Sequence, residues 1–520
     1  MTFKNRTFSG DNPPKLTVRT YEFISVFRDG LFEFFSLFML LYVQLASPIA
    51  GTPSSSYIPM FLTITLSLVG ARILAAFTWT FSSHFLSVGK FKYGRYRMCN
   101  LIGLIGSTFF FLLVFFVAPL VSGWAYVALF VIFYTLMECS YSIEDIAYWS
   151  FINTLTSDEN RKSKIASVMN LFVAIGTYGV ASIAPAVTAG NAKMNLTILA
   201  MVLLSLDFIA EIFFIVTMSE RQEPEISQLQ KKTNIFEPMR ILFSDKQILV
   251  TTLCVFLLFL AQDCLIGNSS TYFFYEYGYG SFGTDGYGNS LFPGGVVSFI
   301  FTICFGLGIA ISQIFYPLLA KKMTKKYLLV MTLGILVFTY VYLFVFGFKS
   351  GNEIGLFVTA FVLAFAHGLT YMAMTMNSFD LSEYYEYKNH EDKNAPVQSL
   401  KAFAVISANG VQTGIFYAFL AMAGLVNLNS TVAQLEADNA ANPGILDFIA
   451  NVNNTIHSTQ GVNESLTVYR FGLTLFPLLI TAAAILLTIF VVSVNDEKKF
   501  ALMTQQVNKE RENRLKESSK

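Results

Sequence analysis

Twelve apolar stretches, each long enough to cross a membrane as a helix, constrain the fold of this chain more than any other feature. A helix needs about 20 apolar residues to cross the hydrocarbon layer of a bilayer. The stretches lack the alternating segments of about ten residues that build a membrane β-barrel. We therefore predict an all-α membrane protein with 12 transmembrane helices, at about residues 23–46, 57–86, 99–120, 124–151, 165–189, 194–218, 247–273, 295–319, 327–348, 355–379, 397–425 and 469–493.

The composition excludes a soluble alternative. Of the 520 residues, 54% are apolar and only 13% are charged, about half of the roughly 25% that is usual in globular proteins. A soluble fold cannot hide so many apolar side chains, because roughly half of its positions face water. The net charge of +1 excludes a generally basic surface, so we expect no nucleic-acid partner. The five cysteines lack CxxC spacing and histidine partners, so we expect no metal and no other cofactor.

Lysine and arginine residues are distributed unevenly between alternate connections. If the N-terminus lies inside, the outer loops hold only Lys193 and Lys349, whereas the inner loops and tails hold 29 of the 35 basic residues and the remaining four lie within membrane segments. Cytoplasmic loops carry such an excess, so both termini are predicted to be cytoplasmic. Six helices on each side of a charged linker suggest two bundles related by a repeat. We expect a cytoplasmic N-tail at 1–22, a six-helix bundle at 23–219, a cytoplasmic linker at 220–246, a second six-helix bundle at 247–493 and a cytoplasmic C-tail at 494–520.

Two connections differ from the short turns elsewhere. The linker is expected to contain a short amphipathic helix near Phe236–Phe243. The loop 426–468 is long, polar and free of lysine and arginine, and the sequence does not predict its role. It contains sequons at Asn429, Asn453 and Asn463, which would matter only in a glycosylating secretory pathway.

Ionisable residues inside the predicted membrane segments are candidates for function, because a charge in the hydrocarbon layer is costly. The first segment carries Arg28, Asp29 and Glu33, and the two acids lie four residues apart on one helix face. In the fourth segment, one stripe of side chains follows the helical spacing, and it consists of Glu138, Ser142, Asp145 and Trp149. We predict that the acids of these two helices meet in a water-filled cavity.

Such a cavity suits a sugar. Carboxylates accept paired hydrogen bonds from vicinal hydroxyls, and an aromatic ring packs against the apolar face of a pyranose. Asp145, with Trp149 one turn beyond it, is therefore a candidate sugar site. Other ionisable residues in the membrane segments either line the cavity or pair and pack between helices, and the sequence leaves this open for Arg72, Glu144, Asp207, Glu211, Asp263, His367 and Arg470.

Two stretches of the sequence resemble the signatures of one transporter family. The run Glu144-Asp145-Ile146-Ala147-Tyr148-Trp149-Ser150 resembles the motif D-x-P-[FYW]-W-[SA], and the run that starts at Asp380 and ends at Lys388 resembles D-x-x-[DE]-Y-G-E-[YF]-K. Both motifs belong to the glycoside–pentoside–hexuronide:cation symporters of the major facilitator superfamily. Shorter pieces, Arg28-Asp29 and Ala71-Arg72-Ile73, are similar to parts of the first and second helices of that family.

The resemblance implies a set of sugar-binding residues. It places the sugar on Asp29 in the first helix, on Asp145 and Trp149 in the fourth, and near Tyr371 in the tenth. Asn170 stands where the family has a sugar-binding arginine.

The chain also departs from the family in its second and eleventh helices. The sodium site of the melibiose-type members uses two aspartates in the second helix, where this chain has Ala75 and Trp79, although Ser142 keeps a nearby hydroxyl. Ile406 stands where the family has a lysine, and Lys401 is the nearest one. A hard cation needs several oxygen ligands, so we expect protons rather than sodium as the coupling ion.

We therefore expect a secondary transporter that moves a glycoside or small oligosaccharide across a bacterial plasma membrane by alternating access. Arg28 would orient the carboxylates, and the coupling groups would be Glu33, Glu138, Ser142 and Asp145. The alternatives are a facilitator or exchanger, and a carrier of another organic solute. We expect no enzyme, because the chain lacks a nucleophile–base pair and a phosphate loop. The lipid bilayer is an expected partner, and the sequence does not predict an oligomeric state.

Overall fold

The fold is described from a computed structural model. It describes residues 7–8, 12–88, 91, 93–156, 159–221, 236–390, 394–442, 448–496 and 499–507. Parts of the predicted N-tail, linker and C-tail lie outside the described residues, at 1–6, 9–11, 222–235 and 508–520.

Among the described residues, the first half of the chain contains seven α-helices. They are α1 (Lys15–Glu33), α2 (Met39–Leu45), α3 (Ser54–Val88), α4 (Arg95–Leu112), α5 (Gly123–Leu155), α6 (Glu159–Thr188) and α7 (Ala192–Thr217). A wider π-turn at Phe34–Phe38 joins α1 to α2, so that the chain is helical without a break from residue 15 to residue 45. A second π-turn, Leu113–Val117, and a 3-10 turn, Ala118–Leu120, follow α4.

The second half contains ten helices among the described residues. They are α8 (Glu237–Ser244), α9 (Lys246–Glu276), α10 (Gly294–Ala320), α11 (Lys325–Tyr342), α12 (Glu353–Asn389), α13 (Asn394–Met422), α14 (Val426–Ala441), α15 (Phe448–Ser458), α16 (Val462–Leu473) and α17 (Leu475–Phe490). A π-turn at Leu343–Gly347 extends α11, and a 3-10 turn at Ser493–Asn495 follows α17. The short helix expected near Phe236–Phe243 is α8. Two short strands, β1 (Thr7–Phe8) and β2 (Glu220–Arg221), pair in parallel.

Eleven stretches among the described residues are long and apolar enough to cross a membrane. They coincide with the predicted segments from the second to the twelfth. The first predicted segment is not among these eleven. It is nevertheless helical, and it carries the charges of Arg28, Asp29 and Glu33.

Several predicted boundaries are wrong, and each for a physical reason. The first helix begins at Lys15, inside the expected tail, because Pro14 supplies the extended residue from which a helix can start. The tenth helix continues to Asn389 through polar residues, which a search for apolar segments does not count as part of a membrane helix. The twelfth starts at Val462 and is interrupted at Thr474, because Pro477 has no N–H for the carbonyl of Leu473.

The long polar connection 426–468 is not a loop. It forms α14, α15 and the start of α16. The buried face of α14 combines Asn429, Ser430 and Glu436 with four apolar residues, Val426, Leu428, Val432 and Ala433. A search for apolar periodicity does not detect this helix, because polar residues interrupt its apolar face.

The helices pack closely within each half and meet along two seams. In the first half α1 lies against α6 and α7, and α5 lies against α3 and α4. Between the halves, α3 packs on α13 and α6 packs on α10. Glycine allows the close approach on the α3–α13 seam, since a Cβ at Gly410 would lie 2.6 Å from the Cβ of Arg72.

Candidate functional site

Arg28 lies at the centre of the candidate site. Its fully buried side chain places Nη2 at 3.1 Å from Oδ1 of Asp29 and Nη1 at 2.5 Å from Oδ1 of Asp145. The guanidinium carbon also lies 4.0 Å from the centre of the Tyr148 ring. The structure therefore brings one acid from each of the first and fourth predicted segments, Asp29 and Asp145, onto one guanidinium, whereas in the described part of the chain Glu33 and Glu138 form no ion pair with it.

The helices α1 and α5 are fixed against each other next to this group. The Tyr21 hydroxyl donates to the carbonyl of Tyr148 at 3.2 Å, and the Tyr148 hydroxyl donates to the carbonyl of Tyr21 at 2.6 Å. The two rings lie 4.7 Å apart. This reciprocal pair sets the distance between the helix carrying Asp29 and the helix carrying Asp145.

The two carboxylates are more open than the arginine that joins them. The side chains of Asp29 and Asp145 are 11% and 17% exposed, whereas that of Arg28 is not exposed. Trp149 is partly buried, with its ring centre 5.6 Å from the guanidinium carbon. The guanidinium is therefore the most enclosed part of the group, and Oδ2 of Asp29 is a buried oxygen without a hydrogen-bond partner among the described residues.

Trp79 is a member of this group that the sequence analysis did not assign to it. The indole N–H donates to Oδ2 of Asp145 at 2.8 Å, so that Arg28 and Trp79 each hold one oxygen of the same carboxylate. The ring also packs in a cluster with Ala402 and Ile406 of α13.

A second arginine forms a separate ion pair. Nη2 of Arg72 lies 3.0 Å from Oε1 of Glu138, and both side chains are 2% exposed. The hydroxyl of Ser142 donates to the carbonyl of Glu138 within α5 at 2.9 Å. Of the two readings left open for Arg72, the structure thus shows pairing between helices.

Glu33 lies near charged side chains from both halves of the chain. It is partly exposed, and its charged neighbours are Asp263 of α9, Arg72 and Asp29. Asp263 is buried, and the Asn409 amide of α13 is placed to donate to it.

The other predicted sugar residues lie elsewhere. Tyr371 in α12 accepts a hydrogen bond from Lys401 of α13, with Nζ 3.4 Å from its hydroxyl, and Phe259 packs edge-on against its ring. Asn170 is exposed on α6, and within the described residues no hydrogen bond joins it to Arg28.

Three further acids are buried on α5 and α7. Glu144, Asp207 and Glu211 are each at most 3% exposed, and Ser107 donates to Glu144 at 3.2 Å. Among the described residues, neither carboxylate oxygen of Glu211 has a hydrogen-bond partner. His367 is buried and forms a 2.8 Å hydrogen bond with the Tyr340 hydroxyl, as a packing residue would. In the described part of the chain, no three acidic, histidine or cysteine side chains converge as metal ligands would.

Comparison with known proteins gives a family match over most of the chain. The model of the family described as MFS/sugar transport protein matches residues 41–496. Among curated proteins, the lactose permease of Leuconostoc lactis is 20% identical over 418 residues. The aligned region covers 77% of this chain and 62% of that permease, so the chain spans less than two thirds of the relative.

Solved structures of transporters share the fold. A mutant of the nucleoside transporter NupG has a TM-score of 0.53 at 11% identity, covering 91% of this chain and 100% of that one. A bacterial homologue of the human lysosomal transporter Spinster has a TM-score of 0.54 at 12% identity, covering 95% and 98%. A POT family transporter in complex with a thioalcohol-conjugated peptide has a TM-score of 0.51 at 10% identity, covering 84% and 96%. At these identities the likeness shows the fold alone.

Proposed function

Because this chain belongs to the MFS/sugar transport protein family, and is therefore a multi-pass membrane transporter, we propose that it carries a glycoside or small oligosaccharide across the plasma membrane. One observation carries the proposal. Asp29 and Asp145, from two helices, share the Arg28 guanidinium next to the Trp149 ring and remain partly exposed.

The chemistry of this group favours a polyhydroxylated substrate. Each carboxylate accepts hydrogen bonds from neighbouring hydroxyls, and the indole offers an apolar face to the C–H groups of a sugar ring. Arg28 neutralises part of the negative charge, so a neutral substrate does not have to bring a cation with it. The similarity to a lactose permease supports the same class of substrate.

The transport model uses 12 spans with both termini in the cytoplasm. The first span is the continuous helix from residue 15 to residue 45, and the excess of basic residues on one side sets the orientation. This orientation puts α14 and α15 on the outer face. The bundles 23–219 and 247–493 would rock about the α3–α13 and α6–α10 seams.

Protons are the proposed coupling ion. Asp29, Asp145 and Glu33 supply ionisable groups at the site, whereas Trp79 presents an N–H donor to Asp145 where an oxygen ligand for sodium would be needed. Without coupling, the same site would serve a facilitator or exchanger.

The test uses purified protein in proteoliposomes with radiolabelled lactose, and unlabelled glycosides as competitors. We expect Asp145→Asn and Trp149→Ala to abolish uptake while both variants still reconstitute. The exposed acid Asp438 provides a matched control, so Asp438→Asn should transport like the parent. Uptake at the parental rate in Asp145→Asn would contradict the site. Sugar-dependent alkalinisation outside weakly buffered vesicles would show proton coupling, and its absence would favour a facilitator.

A further inference from the structure

The helix α14 belongs to the second half of the chain but is hydrogen-bonded to the first half along its length. It lies in the connection between α13 and α16, and it packs on α2, α3 and α7. Its contacts with the first half fall into three groups, which we call steps, in order from its N-terminal to its C-terminal end.

The first step is centred on Asn429. This side chain is completely buried, and its amide nitrogen donates to the Tyr57 hydroxyl of α3 at 2.9 Å. Its amide oxygen accepts from Gln44 of α2 and from the Tyr275 hydroxyl of α9, the latter at 3.0 Å. Three helices from both halves therefore meet on one side chain.

The second step attaches the middle of α14 to the turn before α3. Ser430 hydrogen-bonds to Ser54 at 3.0 Å, and Gln434 donates to the carbonyl of Thr52 at 2.8 Å. The position for a Cβ at Gly51 lies 3.4 Å from the Cβ of Ala437, so the two backbones are in close contact.

The third step is formed by Glu436, which is 2% exposed. Its carboxylate accepts from the N–H of Gly190 at 2.8 Å and from the N–H of Ala192 at 3.1 Å. These groups lie at the N-terminus of α7, where the helix carries partial positive charge. The carboxylate also accepts from the Tyr279 hydroxyl.

Tyr279 is itself held in place by α15. Its backbone N–H donates to Asn453 at 2.6 Å, and its carbonyl accepts from the Asn453 amide at 3.1 Å. Glu436 thus joins an anchored part of the second half to the start of a helix in the first half.

The hydrogen bonds of this interface can be exchanged for hydrogen bonds with water when α14 separates from the first half, so that each one costs little to open. Val426, Leu428, Val432 and Ala433 of α14 are buried as well, so opening also exposes a short apolar stripe. A large apolar interface would instead keep the two halves together.

We propose that α14 is a lid over the outer entrance of the transporter, closed when Glu436 docks on the N-terminus of α7 and released from the first half when the outer side opens. This inference rests on the proposed transport function and on the proposed orientation. In addition to the two rocking bundles, α14 would move as a third element, and the contact of Glu436 with α7 would control this movement.

The first experiment measures lid opening without any transported substrate. Ala433 is completely buried on the same face of α14, so Ala433→Cys reacts with a membrane-impermeant maleimide only when the lid opens. Labelling is followed at pH 8 by mass spectrometry of the peptide containing position 433. We expect Glu436→Gln, which removes the charge and one acceptor oxygen, to label about tenfold faster. Asp438→Asn, an exposed acid two residues further along α14, should label like the parent. Equal rates in the Glu436→Gln variant and the parent would overturn the lid.

The second experiment closes the lid covalently. The separation of 3.4 Å between the two Cβ positions is close to the range that a disulfide spans, so Gly51→Cys with Ala437→Cys should cross-link on oxidation. We expect cross-linking to stop lactose uptake and reduction to restore it, while either single variant is unaffected. Unchanged uptake by the cross-linked protein would overturn the proposal. Failure of the parent to take up any tested sugar would count against the proposed function, whereas the maleimide rates would still decide the lid.

Discussion

At the scale of single residues, the hydrogen bond from Trp79 to Asp145 decides how this carboxylate faces the site. Trp79→Phe keeps an aromatic ring against α13 but removes the only donor of the side chain. We expect about fivefold weaker binding of lactose, equivalent to one hydrogen bond of about 1 kcal/mol, with little change in melting temperature. Isothermal titration calorimetry measures the affinity.

The chain offers a control for this substitution. Trp124 is 57% exposed, so Trp124→Phe should leave lactose affinity unchanged. Parental affinity in Trp79→Phe would show that Arg28 alone orients Asp145.

The Arg72–Glu138 pair makes a different prediction, because it is buried and lies outside the Arg28 group. Arg72→Gln leaves a buried carboxylate without its cation, which costs about 3–5 kcal/mol of stability. Adding Glu138→Gln removes that orphan charge, so the double variant should recover much of the loss in melting temperature. A double variant less stable than Arg72→Gln would exclude this structural role.

The residues of the site were predictable in part. The spacing of Asp29, Asp145 and Trp149 within two helices follows from the sequence, and the structure places all three near Arg28. The bond from Trp79 depends on how α3 is rotated against α5, which a single sequence does not specify. The same applies to Lys401, whose long side chain reaches Tyr371 although its position is displaced from the family pattern.

At the scale of elements, the crossing of α1 and α6 depends on one glycine. A Cβ at Gly176 would lie 2.1 Å from the carbonyl oxygen of Val26, so Gly176→Ala must push the two helices apart. We expect a loss of about 1–3 kcal/mol, seen as a lower melting temperature. Gly179 lies on the same helix with no atom within 4 Å of its Cβ position, and Gly179→Ala should raise stability by about 1 kcal/mol. Equal effects of the two substitutions would contradict this packing.

The helix α15 is expected to make the stability of the protein depend on pH. Burial lowers the pKa of His457, whose ring is stacked on Tyr287 at 4.0 Å between centres. The neutral form is therefore favoured in the folded protein, and its stabilising effect is present above the usual histidine pKa of about 6.5 and lost as the pH falls below it. We expect the melting temperature to drop less between pH 7.5 and 5.5 in His457→Phe than in the parent. An identical drop in both proteins would contradict the prediction.

Elements were predictable where apolar periodicity marks them. The segments from the second to the twelfth coincide with helices, because a run of apolar residues long enough to span the hydrocarbon layer can be recognised from the sequence alone. The helices α14 and α15 are missing from that pattern, because polar residues such as Asn429 and Glu436 share the buried face of α14 with its apolar side chains.

At the scale of the whole molecule, the proposed orientation can be tested with two exposed positions. Asn463 lies at the start of α16 and Lys499 follows α17. In intact cells, Asn463→Cys should react with an impermeant maleimide, and Lys499→Cys only after the membrane is permeabilised. The opposite labelling pattern would show that the C-terminal end faces outward and that α14 lies on the inner side of the membrane.

The buried sequons of α14 and α15 have a practical consequence for producing this protein. Asn429 and Asn453 are 0% and 5% exposed, whereas Asn463 is exposed. In a eukaryotic expression host, an oligosaccharide attached to Asn429 or Asn453 before folding is complete would be too large for these sites. Under the proposed orientation, such a host would therefore yield molecules in which α14 or α15 cannot pack, and a bacterial host without N-glycosylation avoids this.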